Sequence, residues 1–291
     1  MTFKEEISRR ERFSFGKNWE SFLTVLDDER IVQAETALKE MLQVDSLAGK
    51  TFLDAGSGSG LSSLAARRLG AKVHSFDFDP ESVKCTLKLR ERYFPKDTSW
   101  TAEEGSVLNR SYLESLGGYD IVYSWGVLHH TGAMYVAFEN IINCVVPGGT
   151  LFIAIYNDQG WKSHFWWFVK FIYNKLPGPL NTIYALSFSS LVRFLNLIKY
   201  TFKLKPMIAI RELYLYKKKR GMSLMHDTKD WMGGYPFEFA TYNNLKLYFE
   251  GRGFELVRGK QASSLGCHEM IFGLSHNYSK KNSQETDECA A

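Results

Sequence analysis

The chain has 291 residues, 45% of them hydrophobic and 15% aromatic, with a formal net charge of +4. This length and apolar content suit one large α/β domain with an insertion, or two small domains, and exclude a globally disordered chain. The four cysteines, Cys85, Cys144, Cys267 and Cys289, show neither CxxC pairing nor zinc-ligand spacing, so they read as reduced thiols in a cytoplasmic protein, with no metal expected.

The charged start, Met1 to Arg12, lacks the apolar stretch of a secretory signal. No uncharged apolar run reaches the ~20 residues that span a bilayer. Apolar residues at helical spacing from Phe22 to Leu42 predict one or two helices, so residues 1–47 form an N-terminal helical segment. Residues 48–156 then alternate. Thr51–Leu53, Val73–Phe76, Trp100–Glu103, Tyr119–Ser124 and Thr150–Tyr156 read as strands. Leu61–Leu69, Pro80–Arg92 and Tyr135–Cys144 read as helices, the last stopped by Pro147-Gly148-Gly149. Alternation at this spacing means parallel strands joined by crossover helices.

Residues 157–240 break the pattern and read as a helical cap that forms an acceptor pocket. Their first part is aromatic and basic, and Glu212 is the only acid between Trp161 and Arg220. Trp, Phe and Lys together also suit peripheral contact with anionic lipid through residues 161–220, at the inner surface of a membrane. A nucleic-acid surface is set aside, because no RNA-binding module is recognisable. Residues 241–275 supply a helix, Thr241–Phe249, and two closing strands, Phe254–Arg258 and Glu269–Leu274, and the polar tail 276–291 reads as disordered.

The chemistry is concentrated at Leu53-Asp54-Ala55-Gly56-Ser57-Gly58-Ser59-Gly60, which follows a strand and opens a helix. Glycines there permit a tight turn and close approach of backbone to a ligand. A dinucleotide loop would place its third glycine one residue later, where Leu61 sits. Asp54 would oppose a pyrophosphate; it is suited to accepting loop amides or to a cationic ligand. Asp77, at the end of the second strand, can take both hydroxyls of a ribose. Phe78 can pack on a base, and Asp79 before Pro80 reads as a helix N-cap.

These features resemble class I S-adenosylmethionine-dependent methyltransferases, above all the branch of ubiquinone- and menaquinone-type enzymes and their relatives in natural-product or glycan pathways. The match is carried by Asp54-x-Gly56-x-Gly58, by Asp77, by Tyr119-Asp120-Ile121-Val122 through His129-His130, and by Val146-Pro147-Gly148-Gly149-Thr150-Leu151. The resemblance implies a Rossmann-like α/β fold with a seven-stranded sheet whose last strand is antiparallel, and S-adenosylmethionine as cofactor. It assigns Asp54, Gly56, Gly58, Asp77, Phe78 and Ser106 to that cofactor. Ser106 stands where the family often has an acid on the adenine amino group, and a hydroxyl accepts more weakly. Phe13 to Trp19 resembles a segment that closes over the cofactor, which makes Trp19 and Lys17 candidates.

Methyl transfer to oxygen often needs a base, whereas an amine needs only to be unprotonated. His130 (with His129) follows the fourth strand at the ligand-binding edge, where it serves as a base or simply packs. Within Gly221–Glu238, His226 is the other candidate base, with Asp227 or Asp230 to orient it and Tyr235 and Glu238 to touch acceptor or cofactor. The expected reaction is O-methylation of a phenol or sugar hydroxyl on a small-molecule or lipid-linked acceptor. N-methylation on the same scaffold and a non-catalytic, cofactor-binding partner subunit are the rivals.

Overall fold

The computed structural model describes residues 2–202 and 232–276. Three helices open the chain: α1 (Phe3–Ser8), α2 (Gly16–Leu23) and α3 (Asp28–Leu42). Thr2 and Glu5 make a reciprocal capping box at the start of α1, so the charged start is helical because its side chains satisfy its own free amides.

The sheet follows. Its strands are β1 (Thr51–Ala55), β2 (Lys72–Asp77), β3 (Trp100–Glu104), β4 (Tyr119–Trp125), β5 (Val145–Tyr156), β6 (Phe254–Lys260) and β7 (Cys267–Leu274). They are arranged β3-β2-β1-β4-β5-β7-β6. The pairings among β1 to β5 are parallel, and β7 runs antiparallel to both β5 and β6. This is the seven-stranded Rossmann-like sheet that the resemblance implied. Helices α4 (Leu61–Arg68), α5 (Pro80–Tyr93), α6 (Arg110–Leu116), α7 (Met134–Ile141) and α10 (Tyr242–Glu250) cover it, and α8 (Trp161–Lys175) and α9 (Gly178–Phe202) follow β5.

Two details differ from the sequence expectation. The seven-residue helix α6, capped by Asn109, is too short to show periodicity. The helix before the fifth strand ends at Ile141 and tightens into a 3₁₀ turn over Ile142–Cys144. Pro147-Gly148-Gly149 lies inside β5, at a register shift between Tyr119↔Val145 and Ile121↔Thr150. It is therefore a bulge that lets one strand keep its neighbour on both sides of an irregularity.

Both faces of the sheet are packed, which is why the central strands are apolar throughout. Leu53, Val122, Leu151, Ile153 and Phe272 join α7 and α10 in one core. Phe52, Val73, Trp100 and Ile121 join α3 and α4 in the other. Fully burying each such side chain is worth roughly 1.5–3 kcal/mol, enough collectively to hold the carboxyl edge of the sheet as a rigid platform.

Candidate functional site

The loop after β1 folds back over the end of β2. The amides of Gly56 and Ser57 donate to the Phe76 carbonyl (2.8 and 3.1 Å), and the Gly58 amide donates to Asp77 Oδ2 (2.9 Å). Asp77 Oδ1 accepts from the Asp79 amide (2.8 Å). The loop is thus clamped by Asp77, not by Asp54. Gly56 has φ +87°, and a Cβ there would lie 2.4 Å from both Val127 γ-methyls. Gly58 has φ +54°, with the Trp19 indole 3.0 Å from where its Cβ would be. Only glycine fits either place.

Asp54 is buried beneath this loop. It accepts from the Ser63 hydroxyl (2.5 Å); Ser63 in turn contacts Ser75 (2.7 Å), which accepts from the Trp100 indole (2.9 Å). Burial pushes the Asp54 carboxyl up to about 7, with the Asp77 charge adding to it, and burial pushes Asp77 up to about 6. Both carboxylates line one cavity of about 670 Å³, within the size range of small-molecule sites.

Gly56, Gly58, Phe78, Ser106 and Trp19 line the same cavity. The Arg12 guanidinium lies 5.0 Å over the Phe78 ring, and the Phe3 ring meets it edge-on at 5.6 Å. The Ser106 hydroxyl accepts from the Leu108 amide (3.2 Å). Trp19 leans over Gly58 as a roof; Lys17 is exposed and does not line the cavity.

The N-terminal segment is fastened by contacts that sequence reasoning did not find. Asp79 caps α5 as expected, accepting from the Glu81 amide (3.0 Å), but its other oxygen accepts from the Gly16 amide (2.9 Å) and the Ser14 hydroxyl (3.0 Å). Arg12 pairs with Glu6 (2.5 Å) and donates to the His130 carbonyl (2.7 Å). Apart from Arg12 and Glu6, these partners lie 63 to 118 residues apart, and nothing local announces them.

His129 and His130 sit in a single 3₁₀ turn, Leu128–His130, and line the cavity. His129 Nδ1 accepts from the Tyr156 amide (3.4 Å), and burial holds this ring neutral. His130 Nδ1 lies 2.6 Å from the Pro236 carbonyl. A carbonyl only accepts, so Nδ1 carries the proton and Nε2 the lone pair. Burial pushes the His130 pKa down to about 3, with the Lys170 and Arg12 charges adding to that. Lys170, on α8, is itself buried, and burial lowers it to about 7.

The segment before α10 is tied to its neighbours by hydrogen bonds where it is described. Glu238, expected to touch acceptor or cofactor, instead accepts from the Gly132 amide (2.9 Å) and the Met134 amide (3.0 Å), closing the start of α7. Tyr235 accepts from the Phe13 amide through its carbonyl (3.0 Å) and does not line the cavity. His226, Asp227 and Asp230 lie outside the described residues. Among the described residues no cluster of His, Cys, Asp and Glu could hold a metal ion.

The carboxyl ends of β4 and β5 and the start of β7 add Trp125, Tyr156, Cys267 and Glu269 to the cavity wall. Glu269 Oε1 accepts from the Trp125 indole (3.4 Å). The cavity therefore brings together two buried carboxylates, the glycine loop, several aromatic side chains and one lone-pair imidazole.

Comparison with known proteins fits this geometry. A family model described as a methyltransferase domain matches residues 27–195. The ribosomal protein L11 methyltransferase of Anoxybacillus flavithermus is 35% identical over 98 residues, covering 28% of this chain and 31% of that protein. The ubiquinone biosynthesis O-methyltransferase of Xanthomonas campestris is 31% identical over 112 residues, covering 38% of this chain and 45% of that protein. The matched part thus spans less than half the length of these curated relatives. Among solved structures, magnesium protoporphyrin IX methyltransferase from Synechocystis with bound SAH superposes with a TM-score of 0.50 at 14% identity, covering 84% of each chain. This last likeness concerns the fold alone.

Proposed function

This chain belongs to the methyltransferase-domain family, and on that premise we propose that it moves a methyl group from S-adenosylmethionine to a hydroxyl of a small-molecule or lipid-linked acceptor, a phenol or a sugar. The observation that carries the cofactor half is the clasp of Asp77 on the Gly58 loop. Each carboxylate oxygen spends one lone pair on an amide and keeps another for the ribose hydroxyls. Asp54 supplies buried negative charge beneath the loop for the cofactor's positive groups. Phe78 and Ser106 flank the place for adenine, and Trp19 covers the cleft.

S-adenosylmethionine brings the activation, a methyl group on a sulfonium. The chain's task is to align and to handle a proton. With S-adenosylmethionine held by Asp54, Asp77 and the Gly56–Gly58 loop, an acceptor hydroxyl would meet the methyl donor in the part of the cavity that His130 and Tyr156 line, and His130 Nε2 would take the hydroxyl proton. Because burial so disfavours the imidazolium, an amine acceptor, which needs no base, is the second reading.

The test is calorimetric titration with S-adenosylmethionine and S-adenosylhomocysteine at pH 5.5 and 8.0, then transfer of labelled methyl to phenols, sugars and amines. Asp54 and Asp77 ionise as pH rises through about 7 and about 6, and the ionised forms bind the cationic cofactor better. Affinity for S-adenosylmethionine should therefore be roughly tenfold tighter at pH 8.0, with protons released on binding. Binding of both compounds without methyl transfer to any acceptor would favour the non-catalytic, cofactor-binding partner subunit, and no binding of either to a folded sample would overturn the cofactor assignment.

Peripheral membrane contact is part of the same proposal. Among the described residues no helix is long and apolar enough to cross a membrane. Yet Trp161 is 74% exposed and Phe168 54%, Ile183 and Phe194 on α9 are exposed as well, and residues 161–202 contain no acid. Aromatic and aliphatic side chains beside lysines suit the surface of an anionic bilayer. Co-sedimentation with phosphatidylglycerol vesicles at low salt, lost at high salt, is expected; no binding at low salt would refute the contact.

A further inference from the structure

Lys170 is a charged residue that the fold buries. It lies on α8, is 2% exposed, and does not line the main cavity. Taking an ammonium out of water is costly, so a lysine held in such a place sheds its proton readily. Burial brings this one down to about 7. Its Nζ lies 5.0 Å over the Phe237 ring.

Gly234 shows what the amine faces. A Cβ on that residue would lie 3.3 Å from Lys170 Nζ, 3.1 Å from His130 Cε1 and 3.6 Å from His130 Nε2. The missing side chain thus leaves one small space into which both the amine and the open edge of the imidazole reach. His130 also lines the cavity, so it stands between the cavity and Lys170. Its Nδ1 is engaged by the Pro236 carbonyl (2.6 Å), and Nε2 is the ring nitrogen left to exchange a proton.

The other titratable groups around the pair are committed. Arg12 reaches in from the N-terminal segment and donates to the His130 carbonyl. Burial keeps His129 neutral and the Tyr156 phenol protonated. Glu238 spends its oxygens on the Gly132 and Met134 amides. Tyr173 and Asn174 follow Lys170 by three and four positions on α8, and α9 adds Tyr184 to the packing around Tyr173. The Lys170 amine is thus the base that shares the Gly234 space with Nε2.

We propose that Lys170 is the second station of a proton relay, in which the acceptor's hydroxyl proton passes to His130 Nε2 and on, across the space at Gly234, to the lone pair of Lys170 Nζ. The inference rests on the methyl-transfer reading above. The O–H bond breaks and leaves its electron pair on oxygen. The imidazole ends as it began, with its proton on Nδ1. The amine ends as an ammonium, which returns the proton to water when the product leaves. Burial makes an imidazolium costly at His130, and the amine is the better resting place for the proton. Lys170 acts through His130 and touches neither acceptor nor cofactor.

The first test needs no acceptor. In protein with isotope-labelled histidine rings, saturated with S-adenosylhomocysteine, the His130 Cε1–H resonance is followed against pH. It should shift with a midpoint near 7 in the wild type, as Lys170 loses its proton beside a ring that stays neutral. Lys170→Met should abolish that shift. The second test reads kcat for label transfer to a phenol or sugar hydroxyl at saturating S-adenosylmethionine. The wild-type rate should rise with pH through about 7, where the amine gains its lone pair. Lys170→Met should lower kcat about ten- to a hundredfold and remove that rise. Lys170→Arg keeps a charge but offers no lone pair, so it should not restore the rate. A wild-type His130 resonance indifferent to pH, or either variant with the wild-type rate and profile, would overturn the relay. Failure of S-adenosylhomocysteine to bind, or label that reaches amines alone, would instead sink the hydroxyl-transfer reading, and the relay with it.

Discussion

Replacing Asp77 by alanine is expected to lower affinity for S-adenosylmethionine about a hundredfold. Two charge-assisted hydrogen bonds to ribose hydroxyls, at roughly 1.5 kcal/mol each, account for about that much. The substitution also strips the Gly58 and Asp79 amides of their acceptor, so the loop that should receive the cofactor is no longer held in place. Asp77→Asn separates the two effects. An amide oxygen can still take one of the backbone N–H groups, but its NH₂ opposes the other. The loss should then be intermediate, about tenfold, with little change in melting temperature. Titration calorimetry reads both variants. Unchanged affinity in Asp77→Ala would mean that Asp77 only staples the loop and that the ribose is held elsewhere.

His130→Ala should reduce kcat on a hydroxyl acceptor by about 10²–10⁴, the usual contribution of a positioned base, and leave the dissociation constant for S-adenosylhomocysteine within twofold or so. The tautomer is the reason: with Nδ1–H committed to the Pro236 carbonyl, Nε2 is the nitrogen able to take the proton. Since burial lowers the His130 pKa to about 3, the ring stays unprotonated throughout the working range. The rate should show no acidic limb from this group between pH 5 and 9. A variant that keeps full kcat on a hydroxyl acceptor would return His130 to packing. Full kcat on amines, with none on hydroxyls in either protein, would establish the N-methyl reading.

Much of the molecule was readable from patterning. The strands were visible because buried parallel strands must be apolar on both faces, and the crossover helices because their periodicity is local. Gly56 and Gly58 stood out because positive φ and close approach leave no other residue, a constraint written in the identity of one side chain. Asp77 was placed by its distance from the loop and its position at a strand end. By contrast, α6 is not legible, since seven residues carry less than two turns of pattern, and Pro147-Gly148-Gly149 reads only as a helix stop, since a bulge exists only relative to a partner strand.

The amino-acid order therefore determined the sheet, the loop and the kind of ligand the loop suits, because each depends on residues a few positions apart. Tertiary structure alone decided which of two carboxylates clamps the loop, since Asp54 and Asp77 are equally acidic in sequence and differ only in which amides fold over them. It also set Glu238 on the Gly132 and Met134 amides, gave Asp79 a second role as anchor of the N-terminal segment, and set the proton on His130 Nδ1. Those outcomes rest on contacts across 19 to 106 residues of chain, and hydrogen-bond geometry between separate elements is settled only when the elements have packed.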